Sequence, residues 1–109
     1  MMPFTVLLTN DAARDLEALY GYIALHDALQ KADYVLEQIE KAFSRLSAFP
    51  ERGAHSKELA ALGIREYRES FFKSYRIIYR VMDEDVYVLL IVDGRRDMQT
   101  LLQRRLLDA

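Results

Sequence analysis

Between Ile64 and Met82 the chain carries five basic residues, Arg65, Arg68, Lys73, Arg76 and Arg80, against two acids, Glu66 and Glu69. A second pair, Arg95 and Arg96, follows the next apolar run. A guanidinium presents a planar fork of N–H donors that matches carboxylate and phosphate oxygens. The set Arg65, Arg68, Arg76, Arg80, Arg95 and Arg96 could therefore hold an acidic protein surface or a phosphodiester. Tyr67, Phe71, Phe72, Tyr75, Tyr79 and Tyr87 interleave with these arginines. Such rings can stack on single-stranded nucleic acid, and they can equally be the inward side of alternating strands. Five cations and two anions leave this stretch at +3, whereas the whole chain stands at −2. That asymmetry points to an anionic partner for one face, although surface arginines also serve solubility alone.

Groups that could move protons are scarcer. His26 and His55 are the only histidines, and both fall outside the arginine-rich segments. Asp83, Glu84 and Asp85 read as turn chemistry at a hairpin tip. Asp93 and Asp97 flank Arg95 and Arg96 and could neutralise them. The chain has no Gly-rich phosphate loop, no nucleophilic serine elbow and no HExxH. With no cysteine and no set of convergent hard oxygens, no metal site and no cofactor is expected.

The elements that must position the arginines follow from periodicity. Phe4 to Leu8 reads as a strand. Thr9-Asn10-Asp11 supplies cap chemistry for a first helix, whose stripe is Ala13, Leu16, Leu19, Tyr20 and Ile23. Gly21 lies inside it, and a close approach by a neighbouring helix would explain a glycine there. Asp27 is the expected cap of a second helix, with stripe Ala32, Val35, Leu36, Ile39, Phe43 and Leu46, stopped by Pro50. The short link between the two implies an antiparallel helical hairpin. Glu58 to Leu62 reads as one helical turn closed by Gly63. Strands are expected over Ile64–Phe72, Tyr75–Met82 and Val86–Val92, and a last helix over Met98–Leu107. The order β-α-α-β-β-β-α gives an α+β domain, an antiparallel sheet with the hairpin on one face. In "YRIIYRV", Tyr75, Ile77, Tyr79 and Val81 point to the core, which leaves Arg76 and Arg80 outside it.

The whole chain, residues 1–109, reads as one domain. A chain this long buries enough surface to fold without staples. The N-terminal "MMPFTVLLTND" lacks the build of a secretory signal, and no window approaches the roughly 18 apolar residues of a membrane span. A cytoplasmic protein without a membrane partner is expected.

Four segments together carry a resemblance: "DAARDLEALYGYIA", "LSAFPERG", "GIREYRESFFKSYRIIYRV" and "VYVLLIVDGRRD". They cover nearly the whole chain, which resembles the ParE/RelE family of toxins from bacterial type II toxin–antitoxin pairs. The resemblance implies a small sheet with a helical hairpin, and a cognate antitoxin partner that docks by helix-in-groove contacts and strand addition. Leu16, Tyr20, Ile23, Val35 and Ile39 on the hairpin are then candidates for the antitoxin groove, alongside an exposed sheet edge.

The family divides by target. RelE-like members cut messenger RNA in the ribosome, and ParE-like members poison DNA gyrase. Arg76 and Arg96 match positions where RelE-like enzymes place arginines. The slots of the RelE-like lysine pair hold Tyr67 and Glu69 or, shifted by one residue, Glu66 and Arg68. The C-terminal aromatic slot holds Leu102. Anion stabilisers are present without an evident general acid or base, so the resemblance favours a ParE-like gyrase inhibitor that binds rather than cuts. The alternatives are a ribosome-dependent endoribonuclease with Arg68, Arg76 and Arg96 around the scissile phosphate, and a non-toxic binding module.

Overall fold

A computed structural model of the protein describes residues 3–107; residues 1–2 and 108–109 of the one-domain reading lie outside them. The elements are β1 (Thr5–Leu8), α1 (Asn10–His26), α2 (Leu29–Ala48), β2 (Ala54–His55), α3 (Lys57–Ala60), β3 (Tyr67–Phe72), β4 (Tyr75–Met82), β5 (Asp85–Asp93) and α4 (Met98–Leu107). They build one five-stranded sheet in the order β1-β5-β4-β3-β2. The expected antiparallel meander β3-β4-β5 is its centre. β1 joins β5 in parallel, which makes the sheet mixed, and the two-residue β2 adds a short edge with no counterpart in the sequence reading.

The hairpin α1/α2 covers one face. Ile23, Val35, Ile39, Ala42 and Leu46 meet Ile77, Tyr79, Val86, Val88 and Ile91 of the sheet in one buried cluster. Thr9 caps α1 as expected, its hydroxyl accepting from the Ala12 amide at 3.1 Å. At α2 the expected cap is corrected. Ala28 occupies the cap position without a side-chain bond, and Asp27 instead accepts from Lys31 Nζ at 2.7 Å. Gly21 is exposed, and a Cβ built there meets nothing within 4 Å. No helix approaches it, so that expectation is also overturned.

The second face of the sheet is not open. Ile78, Leu89, Leu90 and Val92 pack against Leu59 of α3 and Met98 and Leu102 of α4 in a second buried cluster. One irregularity lets β5 serve both faces. Ile78 pairs with Leu90 while Tyr79 pairs with Val88, so Leu89 is an inserted residue. A bulge of this kind reverses the side-chain alternation beyond it. Val86 and Val88 therefore face the hairpin, and so does Ile91, across the bulge.

Candidate functional site

Arg76, on the second residue of β4, points to the second face and is 6% exposed. Its guanidinium grips Glu58 of α3 through Nη1 and Nη2, both at 2.8 Å. Nε donates to Glu69 Oε2 of β3 at 3.1 Å, and Nη2 pairs with the same oxygen. Gly94 lets the side chain through, because a Cβ there would stand 2.5 Å from Arg76 Cδ. The hydrogen bonds from Arg76 push the Glu58 carboxyl down to about 2, although burial opposes them. Those from Glu58 and then Glu69 hold the Arg76 guanidinium above its ordinary range, again against burial. Glu58 is brought there by α3, whose chain reverses at Gly63 with φ +81, as its Ile64 amide closes back on Leu59 O at 2.9 Å. One cation held between two anions is already neutralised. The expectation that Arg76 stands on a solvated face beside Arg80 is corrected: it is buried in a structural ion pair beside the second core.

Arg95 and Arg96 follow β5 and line a groove of about 650 Å³. Its walls are α1 at Ala18, Leu19 and Tyr22, the start of α2 at Lys31, and the adjoining strand ends Tyr75 and Asp93. Arg95 is clasped by its neighbour, with Nε 3.0 Å from Asp93 Oδ1 and Nη2 2.5 Å from Asp93 Oδ2. That contact is the main reason the Asp93 carboxyl sits below its ordinary range. Asp97 does not neutralise Arg96. It accepts from the Thr100 amide at 3.2 Å and the Thr100 hydroxyl at 2.7 Å, at the start of α4. Arg96 is exposed and has no ion-pair partner among the described residues.

Arg65, Arg68 and Arg80 lie at the other end of the sheet. Arg68 Nη1 donates to Gly53 O at 2.7 Å. The Arg80 guanidinium carbon sits 5.9 Å from the centre of the Tyr67 ring. Arg80 lies five steps along β4 from Tyr75 at the groove, about 17 Å. The six arginines thus divide among three places. The structure brings only Arg95 and Arg96 together in a groove.

The hairpin residues separate in the same way. Ile23, Val35 and Ile39 are buried in the first core, and Leu16 and Tyr20 are half-buried against it. As placed, these side chains face the sheet, not an open groove. The apolar side chains that the hairpin does expose are Tyr22, Leu25, Leu29 and Tyr34.

One arrangement escaped the sequence reading altogether. Arg105 of α4 forks onto Asp15 of α1, with Nη1 2.8 Å from Oδ2 and Nη2 3.0 Å from Oδ1. Arg105 Nη1 also donates to Leu89 O at 2.8 Å, and Asp15 Oδ2 accepts from the Ile91 amide at 3.1 Å. The ion pair thereby satisfies the backbone that the β5 bulge leaves without a strand neighbour once β1 has ended. No local spacing could signal a pair of residues so distant in sequence.

The family model for the ParE toxin of the type II toxin–antitoxin system parDE matches residues 6–98. The chain belongs to the ParE toxin family. A curated relative, Toxin ParE3 of Caulobacter vibrioides, is 31% identical over 100 residues, which span 92% of this chain and 96% of that protein. The fold agrees with that of the chromosomal ParDE system from P. aeruginosa, with a TM-score of 0.68 at 20% identity over 83% of this chain and 95% of that one. The toxin–antitoxin complex RelBE2 from Mycobacterium tuberculosis gives a TM-score of 0.60 at 29% identity, over 85% and 93% of the two chains. The chain is thus a type II toxin of the ParE family. The RelBE2 match also places this ParE-family fold beside that of the RelE-like branch. No helix among the described residues is long and apolar enough to cross a membrane.

Proposed function

We propose that this ParE-family toxin inhibits DNA gyrase by binding it, and that a cognate antitoxin holds it silent. The observation that carries the choice of binding over cutting is the state of Arg76. Phosphodiester cleavage needs a cation free to meet charge as it develops on phosphorus-bound oxygen. Arg76 is committed to Glu58 and Glu69 instead. The position of the RelE-like C-terminal aromatic supports the same reading, since Leu102 is 0% exposed and part of the second core. Arg96 remains available in the groove, well suited to a carboxylate on a protein partner. An antitoxin partner is supported by the structural relatives, which are themselves parts of ParDE and RelBE2 toxin–antitoxin assemblies.

The test is supercoiling of relaxed plasmid by purified gyrase in the presence of the free protein. Inhibition that deepens with toxin concentration and is relieved by the antitoxin is expected. Unchanged supercoiling at saturating toxin rejects the reading. Primer extension on translated messages runs beside it, and new cleavage ends that vanish with Arg96→Ala would move the protein to the endoribonuclease branch.

A further inference from the structure

A small pocket of about 110 Å³ opens where the end of α2 meets β3. Arg45, Arg52 and Ser70 line it beside Leu46, Phe49 and Tyr79. Arg45 and Arg52 are exposed, and no carboxylate among the described residues lies within ion-pair distance of either. The nearest acid of β3, Glu69, is turned to the opposite face and bound by Arg76. The loop that carries Arg52 is fastened to the sheet. Tyr79 Oη donates to Pro50 O at 2.8 Å, and Arg68 Nη1 to Gly53 O at 2.7 Å. Gly53 runs so close to β3 that a Cβ there would stand 2.5 Å from Glu69 O. The Arg52 guanidinium carbon lies 4.2 Å from the centre of the Phe49 ring, a stacked pose that restrains it. Free carbonyls at a helix end repel anions. Here those of Arg45, Ser47 and Phe49 accept from the main-chain N–H groups of Phe49, Phe4 and Arg52, at 2.8, 2.9 and 3.2 Å.

We propose that this pocket binds a single phosphate group, free or carried by a nucleotide. Two arginines and a hydroxyl border it from three parts of the chain: α2, the loop after it, and β3. A planar carboxylate is satisfied by one guanidinium fork. A tetrahedral dianion has acceptors enough for two forks and for the Ser70 hydroxyl besides. Size sets the upper limit. The volume of about 110 Å³ holds several waters or one such ion, since a water takes up on the order of 10–15 Å³ of such space. An extended polyanion is disfavoured. The whole chain stands at −2, and Glu37, Glu40 and Glu51 are exposed on the same helix and loop. A bound phosphate ties the end of α2 to β3, so occupancy stabilises the fold by mass action. The pocket shares no residue with the Arg96 groove and stands or falls independently of the gyrase reading.

The probes are inorganic phosphate, adenosine monophosphate and acetate, titrated into the full chain at constant ionic strength and followed by calorimetry and by the thermal midpoint. Saturable phosphate binding is expected, with a midpoint that rises as phosphate is added. Acetate should bind about tenfold more weakly or less still. Arg45→Gln with Arg52→Gln should weaken phosphate binding by about tenfold or more and remove the rise. The midpoint without phosphate should stay in place, since both side chains are exposed. Ser70→Ala should weaken binding to a smaller extent. Tighter binding of the monophosphate assigns the site to a nucleotide, and tighter binding of inorganic phosphate assigns it to the free ion. No saturable binding of either phosphate probe, equal binding of acetate, or undiminished phosphate binding in the double variant would each overturn the proposal.

Discussion

The two faces of the sheet are built by different physics. The hairpin face is a continuous apolar cluster in which helix stripes meet strand residues of one parity. The opposite face has a smaller apolar cluster under two short helices, with Arg76, Glu58 and Glu69 sealed in beside it. On the first face each residue contributes through area removed from water, so losses are graded. On the second face stability depends on charge balance. One cation holds two carboxylates there, and removing Arg76 strands both of them. A graded core can be eroded one residue at a time, whereas a balanced one fails at a single substitution.

Four measurements test this contrast. The largest effect is expected from Arg76→Ala, which leaves the buried Glu69 and the part-buried Glu58 without a cation and should cost about 3–5 kcal/mol in denaturant unfolding. Replacing all three charged residues by apolar ones of similar volume should cost far less, and an equal loss in both variants would dismiss the balance argument. Next comes Ile39→Ala in the hairpin core, expected to cost about 3 kcal/mol through the cavity it leaves. A cost under about 1 kcal/mol would mean that this face repacks freely.

The third effect is on the order of 2–3 kcal/mol and appears only in acid. The Glu58 carboxyl falls from its ordinary 4.5 to about 2 in the folded chain. A depressed carboxyl stabilises the fold above its unfolded value, and that contribution disappears as pH drops from about 4.5 through about 2. The unfolding free energy should decline across that window, and Glu58→Gln should flatten the decline. An unchanged slope in that variant would detach the acid sensitivity from this cluster. The smallest effect has the opposite sign. Gly21→Ala should stabilise the chain by about 0.5–1 kcal/mol, since the helix gains propensity at a position with open space. A loss of stability there would reveal a contact on the outer side of α1.

The same contrast explains what could be read in the sequence. Both long helices, β4, β5 and the last helix over Met98–Leu107 lie where their periodicity placed them, whereas β3 starts at Tyr67, three residues later than expected. Apolar burial repeats with the helix or strand, and the pattern survives in one dimension. Charge balance leaves no such trace. Arg76 alternates with Tyr75 and Ile77 as an outward residue would, and its partners come from α3 and β3. The bulge at Leu89 hides inside "VYVLLIVD", because a run apolar throughout gives no sign of a shift in alternation. The candidate site was legible in composition more than in place. The pairing of Arg95 with Asp93 follows from adjacency, yet the separation of Arg96 from Arg80 needed the strand register. The hairpin stripe was read correctly as apolar, but its most regular positions are the ones the sheet consumes.

The clasp between Asp15 and Arg105 has a consequence for when the toxin becomes complete. Its two halves lie 90 residues apart, and it closes over the main chain of β5 between them. The hairpin core takes no residue from α4, so it can assemble before α4 docks. The second core and the clasp must wait until α4 docks. A chain whose α4 has not docked thus has its hairpin face built while the sheet's second face is bare.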